Sequence, residues 1–161
     1  MSSRPRNKIF WFYGNLSRSG RRLSPCGRRE IMTRILFIGQ KPETVDYSDP
    51  ALPPGFDAEK IAAGIAVAVA DIEARGWQGD TCMIAPDETA GPAIERQLSG
   101  THYDCVVIGG GLRIPPRSLG LFEIVINAVH KGAPGAAIAF NTRPEDTAEA
   151  AARQLARSGR P

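Results

Sequence analysis

The sequence predicts an α/β fold, a parallel sheet with helices on both faces, and three observations predict it. From residue 34 onward, short continuous apolar runs alternate with longer amphipathic ones. Most of the short runs are bounded by Gly, Pro or Asn, as suits strands buried on both faces. Each run is followed by a segment with helix start and stop signals, so the order is strand-helix four times over, which demands right-handed crossovers between parallel strands.

The elements follow in order. Arg34–Gly39 (RILFIG) is the first strand. Asp57 is a good N-cap for a helix over Ala58–Arg75, and Gly76 ends it. Thr81–Ala85 (TCMIA) is the second strand, and Thr89 or Asp87 caps a shorter helix that runs to Leu98 and stops at Ser99-Gly100. Asp104–Gly109 (DCVVIG) is the third strand. Ser118 caps a helix over Leu119–Lys131, ended by Gly132. Ala136–Phe140 (AAIAF) is the fourth strand, and Thr142-Arg-Pro-Glu145 reads as a capping box that opens a helix to about Ser158. Four such units give a single-domain, flavodoxin-like or half-Rossmann three-layer sandwich over residues 34–158, with strand order 2-1-3-4.

Two of these helices are unusually apolar. Ile61–Ala70 has no charged residue, and in the Ser118 helix only Glu123, Asn127 and His130 interrupt an apolar surface. Such helices are usually covered on more than one side, so a homodimer is expected.

Composition is that of an ordinary globular protein: 161 residues, 42% hydrophobic and 23% charged. No run approaches the roughly 18 apolar residues of a membrane span, so no membrane partner is expected. The net charge of +3 suggests nucleic-acid binding until the charge is located. Residues 1–33 hold eight bases against one acid, Glu30, leaving 12 of the 20 bases and 16 of the 17 acids for the remainder. The body is mildly acidic, and a nucleic-acid partner is expected only through residues 1–31, where Trp11, Phe12 and Tyr13 could stack on bases. This basic extension has no periodicity, and its apolar stretch Ile9–Tyr13 is too short for a secretory signal. It is expected to be disordered, with Met32 as the natural start and a targeting peptide as the alternative. Three cysteines form no disulfide or metal motif, which points to a reducing, cytoplasmic compartment and to no metal site.

Any ligand is expected in the crevice beyond the carboxyl ends of strands 1 and 3, where the strand order reverses. Known uses of such folds fail on the residues. Gly39-Gln40-Lys41-Pro42 is no dinucleotide fingerprint, P-loop and GxSxG motifs are absent, and the acids of a phosphoryl-accepting receiver are missing at Gln40 and Gly109. What remains is a proline-rich first loop, Gln40–Phe56, and a second loop, Gly109–Arg117. Gly109, Gly110 and Gly111 would let backbone amides approach a ligand, with Arg113 beside them and Asn141 and Arg143 opposite. Arg117 is a further base in that loop. For acid–base chemistry the candidates are Asp46, Glu43, Glu123 and His130, and they leave open whether the protein is an enzyme.

PETVDYSDPALPPG (42–55), YDCVVIGGGLR (103–113), FEIVINAVH (122–130) and AFNTRPEDTAEA (139–150) resemble a family of small, uncharacterised α/β proteins of bacteria and fungi. The likeness covers roughly residues 34–156 and begins where Met32 predicts. It implies no activity, cofactor or catalytic residue. Gln40 departs from it, an acid being expected there. Two functions stand: binding of an anionic or nucleotide-like small molecule at the carboxyl edge of the sheet, or a non-catalytic interaction module that uses the apolar helices.

Overall fold

The four apolar runs pair side by side into one parallel sheet in the order β2-β1-β3-β4. The computed structural model describes residues 32–50, 52 and 54–159, so the expectations for residues 1–31 lie outside the described residues. β1 (Arg34–Gln40) lies between β2 (Gln78–Ile84) and β3 (Cys105–Ile108), and β4 (Ala137–Phe140) pairs with β3 alone. In register, Ile38 stands opposite Cys82 and Ile108, and Ile108 stands opposite Phe140. The carboxyl ends of all four strands therefore share one edge.

Chain order sets the helix layers. α2 (Ala90–Leu98) and α3 (Leu119–Gly132) cover one face, burying Ile94, Leu98, Val125 and Val129 against Leu36, Ile38, Val106 and Ile108. α1 (Ala58–Ala74) and α4 (Thr147–Arg157) cover the other, with Ala68, Ile72, Ala151 and Leu155 against Ile35, Phe37 and Val107. The central strand alternates its side chains between these two cores, as a parallel strand must. Each large aliphatic side chain removed from water contributes about 1.5–3 kcal/mol.

Local signals behave as expected at several ends. Asp57 accepts a hydrogen bond from the Lys60 N–H at 2.8 Å and caps α1. Gly76 and Gly100 adopt φ of 77° and 75°, a left-handed turn that glycine enters without steric cost. Other ends differ from the expectation, each for a physical reason. β2 starts at Gln78, three residues before its apolar run, because an edge strand can lead with polar residues: Gln78 N–H donates to Thr33 O, and Asp80 pairs with Arg34 at 2.7 Å. Ser118 makes no side-chain cap. It closes a separate 3-10 turn, Pro116–Ser118, that leads into α3. Gly132 is the last residue of α3 itself and has no positive φ; a Cβ there would lie 2.7 Å from Leu98 Cδ1, so it serves the packing of α3 on α2. The acid of the Thr142 cap is Asp146, not Glu145: Asp146 accepts from Thr142 N–H, Thr142 Oγ1 and Arg143 N–H at 2.6–3.3 Å. Glu145 instead faces α1, where a Cβ on Gly64 would lie 2.9 Å from its Oε1.

Within the chain, the uncharged stretch of α1 is covered on one side. Only Gly64, Ala68 and Ile72 are buried on that helix, and its outer face is alanine with Val67, 45% exposed. No helix among the described residues is long and apolar enough to cross a membrane.

Candidate functional site

A cleft of about 640 Å³ opens at the carboxyl edge, at the point between β1 and β3 where the strand order reverses. Two loops and the end of β4 form its walls, and each is shaped by its own hydrogen bonds.

The first loop, residues 41–57, starts with the 3-10 turn Pro42–Thr44. Gln40 Nε2 donates to Thr44 O at 2.9 Å, and Tyr47 OH donates to Pro42 O at 2.7 Å. Lys41 N–H donates to Ile84 O and ties the loop to the end of β2. Asp46 then makes an Asx turn, accepting from Ser48 N–H and Oγ at 3.0 and 2.5 Å. The loop turns Val45, Leu52 and Phe56 toward the cleft, where Ile61 and Ile65 of α1 and Phe37 of β1 continue the apolar wall.

The second loop follows β3. Gly109–Gly111 lines the cleft, but the three glycines differ. Gly110 is buried; a Cβ there would lie 2.8 Å from Thr142 O, so this glycine lets the chain pass the end of β4. A Cβ on Gly109 would sit 3.1 Å from Ile38 O. Around Gly111 there is open space, a Cβ there meeting nothing within 4 Å. The 3-10 turn Gly110–Leu112 then folds Arg113 away from the cleft lining. Arg113 Nη2 donates to Asn141 O at 3.1 Å, and its guanidinium lies 5.5 Å from the centre of the Phe140 ring. Arg113, expected from the sequence beside a ligand, is thus placed on Asn141 and Phe140 and outside the cleft lining. Four residues on, Arg117 lines the cleft and bridges its mouth, with Nη1 2.9 Å from Asp46 and Nη2 2.7 Å from Asp49. It clips the two loops together.

The third wall is Asn141–Pro144. Asn141 is 1% exposed, and both ends of its amide serve the fold: Oδ1 accepts from Gly110 N–H, and Nδ2 donates to Thr147 Oγ1, each at 2.8 Å. It positions the second loop rather than offering a free group. Arg143 is exposed, lines the cleft, and has no side-chain hydrogen bond or ion pair among the described residues. Of the predicted ligand-binding residues, the structure thus brings Gly109, Gly110, Gly111, Asn141 and Arg143 together and sets Arg113 apart.

The acid–base candidates separate similarly. Asp46 lines the cleft, and the Ser48 hydroxyl, the Ser48 amide and then Arg117 hold its carboxyl below the ordinary aspartate range. A carboxylate so stabilised is a poor proton acceptor at neutral pH. Glu43 is exposed and does not line the cleft. Glu123 and His130 lie on the exposed stripe of α3, also outside it; Asn127 Nδ2 donates to Glu123 O, which is backbone. Among the described residues no group of three His, Cys, Asp or Glu is placed to hold a metal ion.

Sequence reasoning missed the apolar walls and the Arg117 clip. The signal for the walls was present: Val45, Leu52 and Phe56 are apolar residues in an otherwise polar loop. Neither protein-family models nor the curated proteins give any match to this chain.

Proposed function

We propose that this protein binds a small anionic molecule in the cleft at the carboxyl edge of its sheet. The observation that carries the reading is the cleft itself: about 640 Å³, within the usual range for a small-molecule site, with Arg143 on its wall making no ion pair among the described residues and open space at Gly111. Asp46 and Asp49 are both paired with Arg117, and Glu43, Glu123 and His130 do not line the cleft. These placements favour binding over acid–base catalysis. Cys82 and Cys105 are buried in β2 and β3 as small apolar side chains, in keeping with a reducing, cytoplasmic setting.

A thermal-shift screen of organic carboxylates and phosphates tests the reading. A ligand that binds only the folded state at a hundred times its Kd adds about 2.7 kcal/mol of stability. At least one anion should raise the melting temperature of the wild type, and Arg143→Ala should remove most of the rise. An unresponsive wild type, or a shift unchanged in Arg143→Ala, would overturn it.

A second reading has its own observation. α3 exposes Leu119 (63%) and Ile124 (45%), and Ile114 is exposed at the cleft mouth. Apolar side chains of this size favour association of two copies, so the homodimer expected from the helix pattern is retained as a proposal. Light scattering at high micromolar concentration should then give about twice the 17.3 kDa chain mass, and a monomer throughout would refute it.

A further inference from the structure

We infer that the molecule held in this cleft is an amphiphilic monoanion, a single carboxylate on an aliphatic or aromatic body, and not a nucleotide or other polyphosphate. The inference rests on the anion-binding reading above and narrows it.

The first ground is charge. Among the described residues, the charged side chains of the lining are Asp46, Asp49, Arg117 and Arg143, two acids against two bases. Arg117 is paired with both acids, and Arg143 is the lining cation with no side-chain ion pair among the described residues. A neutral lining suits one negative charge and repays little of the desolvation of two or three.

The second ground is the use already made of the backbone donors. Phosphate sites converge several free N–H groups on one point. Here Gly110 N–H goes to Asn141 Oδ1, and the Thr142 and Arg143 N–H groups go to the Asp146 carboxylate. The N–H groups of Leu112, Arg113 and Ile114 go to the carbonyls of Gly109 and Gly110. Among the described residues of the lining, the Gly111 N–H, the Arg143 guanidinium and the Ser118 hydroxyl ahead of α3 are donors for an anion. That set matches the two oxygens of a carboxylate.

The third ground is the body of the cleft. Phe37, Phe56, Ile61 and Ile65 form one side, and Ile114 and Leu121 the other. The amide of Gln40, a natural reader of a nucleobase edge, donates to Thr44 instead. A sugar or base would lose its hydration here for few hydrogen bonds, whereas a hydrocarbon loses nothing.

The test is a titration of the full-length protein with hexanoate, octanoate and decanoate, with octanamide, inorganic pyrophosphate and ATP alongside, followed by amide chemical shifts and calorimetry. Affinity should rise about fourfold per methylene along the alkanoates, the ratio that burial of one CH₂ provides. Octanamide should bind at least about tenfold more weakly than octanoate, and Arg143→Gln should weaken octanoate by a similar factor, with Arg143→Lys recovering part of it. Unchanged denaturant midpoints would show that the variants fold. Binding of ATP or pyrophosphate in preference to the alkanoates, or alkanoate affinity independent of chain length, would overturn this inference while the anion site survives. Octanamide binding as tightly as octanoate, or Arg143→Gln leaving octanoate affinity unchanged, would also overturn it, as unspecific apolar adsorption. If no anion of either kind perturbs the Gly111 and Arg143 amides, the anion site falls as well.

Discussion

Replacing Asn141 by alanine removes two buried hydrogen bonds of 2.8 Å at the junction of the second loop, β4 and α4. The consequences of the two losses are unequal. Thr147 Oγ1 keeps its own bond to Pro144 O at 2.6 Å, so it loses only an accepted bond, worth about 0.5–1.5 kcal/mol. Gly110 N–H is left without an acceptor in a buried segment, at a cost of about 1–3 kcal/mol. Asn141→Ala should therefore destabilise the fold by about 2–4 kcal/mol. Equilibrium urea unfolding followed by circular dichroism reads this as a fall in midpoint of about 1–2 M at unchanged slope. The surviving folded protein should still bind anions, because the Asn141 amide offers no free group to the cleft. A loss below about 0.5 kcal/mol, or a fully stable variant that no longer binds, would refute the reasoning and make Asn141 the ligand residue that the sequence alone suggests.

Other consequences follow from the same geometry. Gly110→Ala forces a Cβ against Thr142 O and should cost about 1–3 kcal/mol, while Gly111→Ala, with open space around it, should leave unfolding unchanged and weaken only ligand binding; equal effects of the two on stability would contradict the packing argument. Arg117→Ala frees the first loop from the second, so hydrogen exchange should accelerate over residues 43–56 while the global unfolding midpoint scarcely moves, and unchanged exchange would rule out the clip. The Asp46 carboxyl is held below its ordinary value of about 3.9, so the stability it contributes is present above that pH and is lost as pH falls through the lower folded value. Its side-chain ¹³C resonance should titrate below 3.9, and a midpoint at or above it would remove the Asx turn and Arg117 contact from the account.

Strand order was legible because Arg34–Gly39 and Asp104–Gly109 are continuous apolar runs, and such runs are a feature of sequence alone. The start of β2 was less so, since Gln78 and Asp80 are polar and become strand by pairing with Thr33 and Arg34, which lie far away in sequence. Each proline-led 3-10 turn, at Pro42, Pro116 and Pro144, carried a local signal in the proline but not its consequence for direction. Direction is what separates Arg113 from Arg117: one turn sends the first to the Phe140 ring, and the next returns the second to Asp46 and Asp49. The structural task of Asn141 was hidden for a related reason. A short polar side chain at the end of a strand reads as a ligand group, and only the tertiary fold shows Gly110 and Thr147 waiting for both ends of its amide.

The most direct test of the cleft assignment is a crystal structure of the full-length protein with decanoate bound. The carboxylate should lie within hydrogen-bonding distance of the Arg143 guanidinium and the Gly111 N–H, with the chain running between Phe56 and Leu121 over Phe37. Decanoate seated at Arg113, or on the outer face of α3 with the cleft unaltered, would contradict the account.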